Sequence, residues 1–210
     1  MQNLKNISIG FLLSFLGSIP LGYLNVVGFQ LYQSSGLFPT LLYLFGVISI
    51  ELIVIYFTLI FAKRLAANKK LSKFIQLFSI VFLFLLSILF YFGSDSKSNN
   101  SHSFSYSPFI LGIVLSSLNF VHIPFWTGWN LYLLNEKYIE ISGVRKYFYV
   151  FGAIVGTFCG MLLLILSLNY FATNVDFISR YLMKFIIPSL FLILGLFQLV
   201  KFIRNKKKLE

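Results

Sequence analysis

Between Leu37 and Ala62 the chain carries one charged side chain, Glu51, in a run longer than the ~20 apolar residues needed to cross a bilayer. Inside hydrocarbon every backbone N–H and C=O must be satisfied within the protein, so an apolar run of this kind has to be helical. Glu51 falls near the middle of that helix. Holding a carboxylate at the bilayer centre costs about 2.5–3.5 kcal/mol on insertion scales. Such a residue has a partner, carries a proton, or lines a wet cavity, and its neighbours decide which.

Six runs have the length and character of spans: Ile7–Leu31, Leu37–Ala62, Phe74–Phe92, Pro108–Leu134, Tyr147–Phe171 and Tyr181–Ile203. The first is too long for a signal-peptide core and lacks a small-residue cleavage site, so it is expected to be retained. At 58% hydrophobic and 11% charged, the composition departs from the about 45–50% apolar and about 25% charged of soluble domains. The expected fold is therefore an all-α integral membrane protein with one membrane domain over residues 1–210. The net charge of +11 would suit a nucleic-acid binder if it formed one face. Instead the basic residues sit in short segments between apolar runs, which is a topology signal and excludes a nucleic-acid partner. All but three (Lys97, Arg180 and Lys184) of the 17 Lys and Arg residues fall on the side of the N-terminus. The positive-inside rule puts both termini in the cytoplasm.

The polar stretch Ser94–Ser107, which contains His102, separates a first half (1–93) from a second (108–210) and reads as an extracytoplasmic loop. The halves resemble each other. Gly10, Ser14, Pro20 and Asn25 of span one have counterparts in Gly112, Ser116, Pro124 and Asn130 of span four. Three helices per half invert the second relative to the first, the plan of many secondary transporters, whose sites lie at the midplane.

The special residues cluster there. Gly17-Ser-Ile-Pro20-Leu-Gly22-Tyr-Leu-Asn25 should kink or break span one, because Pro20 cannot donate to the carbonyl four residues back. Asn119-Phe-Val-His122-Ile-Pro124-Phe-Trp126-Thr-Gly128-Trp129-Asn130 repeats the theme in span four and holds both tryptophans. Asn119 and His122 are three apart, so they share a helix face, and a Glu51–His122 pair could share a proton. The plainer readings are a packing kink at each proline, interfacial anchoring for Trp129, and a hydrogen-bonded structural imidazole. Gly152, Gly156 and Gly160 give small-xxx-small spacing in span five, for contact within the bundle or between subunits. Cys159 alone can form neither an internal disulfide nor a CxxC pair. No phosphate loop, metal-ligand set or nucleophile–base pair is present in the sequence, so no enzyme activity, cofactor or metal is expected.

Pro20-Leu21-Gly22 in span one, Gly46 with Glu51 in span two, and Asn119 with Pro124 in span four resemble motifs of the lysine-exporter (LysE/RhtB-type) superfamily of amino-acid exporters. Members carry Pro-Gly-Pro, glycine followed by an acid, and Asn-Pro-Lys at these places. Here Leu21 interrupts the first, glutamate stands for aspartate, and Phe120 replaces the second proline, as in a divergent member. The resemblance covers the whole chain. It implies efflux of amino acids or similar small metabolites by proton exchange across the bacterial cytoplasmic (inner) membrane, from a homodimer. Substrate and proton would be handled by Glu51, Asn25, Pro20, Gly22, Gly46, Asn119, His122, Pro124, Trp126 and Asn130. Desolvation penalises the charged form of a carboxyl, which suits an acid at this depth to taking up and releasing a proton. The alternative expectation is a non-transporting scaffold or assembly factor in which Glu51 and His122 pair statically.

Overall fold

The computed structural model describes residues 2–19, 22–67, 107–174 and 187–207, with scattered positions between 70 and 91. Pro20, His102, about half of Phe74–Phe92 and the start of Tyr181–Ile203 lie outside the described residues. All regular structure among the described residues is helical. The chain divides into two compact units, Met1–Ala67 with His102–Asn169, and Asn68–Ser101 with Tyr170–Glu210.

The first unit contains α1 (Gln2–Ser18), α2 (Tyr23–Ser35), α3 (Leu37–Ala67), α4 (Pro108–Ser117), α5 (His122–Asn135) and most of α6 (Arg145–Asn174). Two stretches, Leu37–Ala62 in α3 and Arg145–Ala172 in α6, are each long and apolar enough to cross a membrane as one helix. The first and fourth expected spans are not single helices. Each is a pair of short helices, α1 with α2 bent by 75° and α4 with α5 bent by 69°. The described residues thus hold two spans, or four if each bent pair crosses once. In the second unit, α7 (Ile187–Lys207) carries the described part of the sixth run, and Ser87 donates to the Pro188 carbonyl at 2.9 Å.

Ten residues of α4 rise only about 15 Å, half the hydrocarbon thickness. Such a half-helix has to be held by a neighbour. Gly46 and Gly112 do this reciprocally. A Cβ on Gly46 would overlap the Phe109 carbonyl, and a Cβ on Gly112 would overlap the Tyr43 carbonyl, so α3 and α4 touch backbone to backbone. The α1–α6 contact is built the same way. Gly10 lies against the Tyr149 carbonyl, while Gly152, Gly156 and Gly160 lie in turn against Ile7, Phe11 and Phe15. The glycine stripe of span five therefore makes a contact within the chain. Along α1 and α6 the partner numbers rise together, so that pair runs parallel; α4 also runs parallel to α3, with Gly112 at Tyr43 and Ser116 at Val47. One offset relates Ile7 to Phe109 and Gly10 to Gly112, and another relates Tyr43 to Tyr149, Gly46 to Gly152 and Val47 to Ala153.

The turn from α2 to α3 is made at Gly36, whose φ of 84° lies in the left-handed region that favours glycine. Its N–H caps α2 on the Tyr32 carbonyl at 2.9 Å. Between α3, α5 and α6 sits a core of Ile55, Leu59, Trp126, Leu133, Tyr149, Val150 and Ala153.

Backbone carbonyls cannot swing aside as side chains can. Gly46→Ala and Gly112→Ala should each cost about 1–3 kcal/mol through overpacking. Gly128→Ala, which meets open space, should cost nothing. Thermal unfolding in detergent checks the contrast; equal stability of all three variants would contradict the packing.

Candidate functional site

The two breaks face each other. Gly17, at the end of α1, lies against the Phe125 ring of α5, and the Tyr23 hydroxyl of α2 donates to the Leu115 carbonyl of α4 at 2.7 Å. A helix end leaves carbonyls without intrahelical partners, and in a membrane something else must satisfy them. At the first break Asn25 Nδ2 does so, donating across the gap to the Ser18 carbonyl at 3.0 Å. At the second, three-residue bonds take over: Asn119 N–H to Ser116, His122 N–H to Asn119 and Ile123 N–H to Phe120. Pro124 lies not in the gap but in the first turn of α5. Its absent N–H would have met the Phe120 carbonyl, so it explains why regular helix resumes only at His122.

Glu51 of α3 projects into this region and is buried. Trp126, fully enclosed, donates its indole N–H to Glu51 Oε1 at 3.2 Å. His122 Nδ1 lies 3.6 Å from the same oxygen. The other imidazole nitrogen, Nε2, is 2.6 Å from Asn119 Nδ2. An amide nitrogen can only donate, so Nε2 accepts and the neutral ring carries its proton on Nδ1, toward Glu51. His122 remains 27% exposed at the side chain against 5% for Glu51, so the imidazole stands between the buried acid and the surroundings. Among the described residues no donor or acceptor reaches Glu51 Oε2. The site is thus a carboxyl with one oxygen bonded to the Trp126 N–H and 3.6 Å from His122 Nδ1, and with the second oxygen unpartnered.

No family model, curated protein or solved structure matches the chain.

Of the expected site residues, the structure gathers Glu51, His122, Asn119 and Trp126 at one place. Asn130 is elsewhere, on a turn of α5 beyond Trp126. Its Nδ2 donates to Thr58 Oγ1 at 3.1 Å and its Oδ1 accepts from the Tyr149 hydroxyl at 2.8 Å, so it clasps α3, α5 and α6 with its amide committed. Gly46 serves the α3–α4 contact. Gly22 caps α2 in an extended conformation with open space around it, and Asn25 bridges the first break. Trp129, 40% exposed, stacks edge-on against Tyr132 on the outer surface. It fits the anchoring role and Trp126 does not.

Sequence reasoning missed Thr58 and Tyr149, and it noted Ser116 only as the counterpart of Ser14. Thr58 had a readable signal, since Glu51, Ile55 and Thr58 follow at helical spacing on one face. Ser116 donates to the Val47 carbonyl at 3.3 Å, one turn before Glu51.

The chain has only 2 histidines, so His102→Gln leaves His122 as the sole imidazole. Nitrogen NMR of that protein carrying isotope-labelled histidine should show a protonated Nδ1 and an unprotonated Nε2. Asn119→Leu should shift the ring toward the Nε2-protonated tautomer. A wild-type frame already protonated on Nε2 would contradict the arrangement.

Proposed function

We propose that the protein is a secondary transporter that exports amino acids or related small metabolites in exchange for protons, with Glu51 as the proton-carrying acid. One observation carries this reading: a buried carboxyl lies between two broken helices with its second oxygen unpartnered. A purely structural acid would be expected to have both oxygens satisfied, because an unmade bond at such depth is costly. The half-exposed His122 gives the acid a route for its proton. Broken helices that line a midplane site are the recurring device of secondary transporters.

The fuller reading has six spans in two inverted halves, with both termini in the cytoplasm of a bacterium and the protein in its inner membrane. The parallel pairing of α1 with α6 and of α4 with α3 supports it, as do the constant offsets between equivalent glycine contacts. Lys5, Lys137, Arg145 and Lys146 then fall on one side, as the positive-inside rule requires. The lysine-exporter type, the amino-acid substrate and the homodimer rest on the motif resemblance at Gly22, Glu51 and Asn119. The scaffold reading draws its support from the Trp126 bond, which could hold α5 to α3 without any transport.

The test uses proteoliposomes loaded with a mixture of the proteinogenic amino acids under an imposed proton gradient, with efflux read by mass spectrometry. The wild-type protein should release a subset of them. Glu51→Gln keeps an oxygen for the Trp126 bond, so it should fold and insert normally but lose gradient-driven efflux. Undiminished gradient-driven efflux from Glu51→Gln would sink the coupling role. If no amino acid moves and Glu51→Gln lowers only thermal stability, the scaffold reading stands instead.

A further inference from the structure

The groups that reach Glu51 in this structure are donors: the Trp126 indole N–H and the Nδ1–H of His122. That surrounding suits an ionised carboxylate. A protonated carboxyl has an O–H of its own and needs an acceptor, which neither of these groups supplies.

The α1–α6 contact shows where one lies. Continuing the two offsets along uninterrupted helix makes Ser14 the equivalent of Ser116 and Thr157 the equivalent of Glu51. Ser14 and Thr157 are hydrogen-bonded to each other through their hydroxyls. At the equivalent place Ser116 is buried, and its hydroxyl hydrogen is given to the Val47 carbonyl, one turn before Glu51, which leaves the oxygen able to accept a further bond. Ser116 and Glu51 are not bonded to each other in this structure, and Glu51 Oε2 has no partner.

We propose that Ser116 is a positioning residue for the protonated form of Glu51, its Oγ accepting the hydrogen bond from the Oε2–H of the carboxyl. The proposal rests on Glu51 being the proton carrier. A rotation of the Glu51 side chain forms the bond. The proton stays on Oε2, and the hydrogen of Ser116 stays on the Val47 carbonyl. Ionised, the carboxylate holds α5 through Trp126 and His122. Protonated, it gains a tie to α4 and weakens its hold on α5. The two half-helices on either side of the second break thus receive the same acid in its two states. Among the described residues, the titratable groups facing this place are His122 on α5 and Tyr23 on α2, whose hydroxyl is already given to Leu115; α4 contributes none.

Infrared difference spectra of the full chain in lipid nanodiscs, between acidic and alkaline buffer, test the bond. The protonated-carboxyl band that disappears in Glu51→Gln belongs to Glu51, since the other five of the 6 acidic residues lie outside the apolar runs. In Ser116→Ala that band should move, and in Ser116→Thr, which keeps the hydroxyl, it should return to its original position. Proton-driven efflux of the same amino-acid mixture should fall about tenfold in Ser116→Ala, the worth of one buried hydrogen bond. A Glu51 band at the same position in wild type and Ser116→Ala overturns the role of Ser116 while leaving the coupling acid intact. Absence of any Glu51 carboxyl band overturns both.

Discussion

The close approach of α4 to α3 is the contact on which the rest of the site depends. A ten-residue helix makes few backbone bonds of its own and has no length to anchor it in both leaflets. What fixes α4 is the absence of side chains at Gly46 and Gly112, which brings two backbones within van der Waals reach over about a turn of each helix. Lipid is as apolar as leucine, so burial drives little association there, and dense packing between small residues has to do it. Once α4 is fixed, its C-terminal end and the break after it have a set position beside Glu51. The break then aims α5 so that Trp126 meets the carboxyl.

Along α3 the polar contacts divide into two levels. Near the breaks are Glu51, Trp126, His122 and Asn119, where one carboxyl oxygen is unpartnered. Two turns further on, Thr58, Asn130 and Tyr149 form a closed network in which each polar atom has a partner. A satisfied buried network rigidifies the helices that share it. A part-satisfied one is a place where the arrangement can change. The clasp at Asn130 therefore ties α3, α5 and α6 together two turns beyond Glu51.

Much of this was legible in the sequence, because its causes are local. The apolar runs declare α3 and α6, the prolines mark the two breaks, and a lone acid in hydrocarbon marks the site. Other features depend on which helix lies opposite. Asn130 reads as a binding amide until Tyr149 and Thr58 are seen to occupy both of its ends. Gly46 reads as part of an acidic motif until the Phe109 carbonyl is found where its side chain would be. The glycines of span five offered two partners, and only the rising sequence of contacts with Ile7, Phe11 and Phe15 selects α1. Pro124 marks its break in the turn before it, where its missing N–H would have met the Phe120 carbonyl.

On the exporter reading, the paired contacts also explain why one acid suffices. Thr157 and Glu51 hold equivalent places against equivalent half-helices, yet one is a hydroxyl closed on Ser14 and the other is an acid with a free oxygen. Had both places carried carboxyls, two buried charges would each have incurred the full cost of desolvation. With a hydroxyl at one, the α1–α6 side is satisfied whatever the state of protonation. On the exporter reading, that asymmetry assigns the work. The α1–α6 pair is the fixed wall, and proton uptake acts through Glu51 on the junction between α4 and α5.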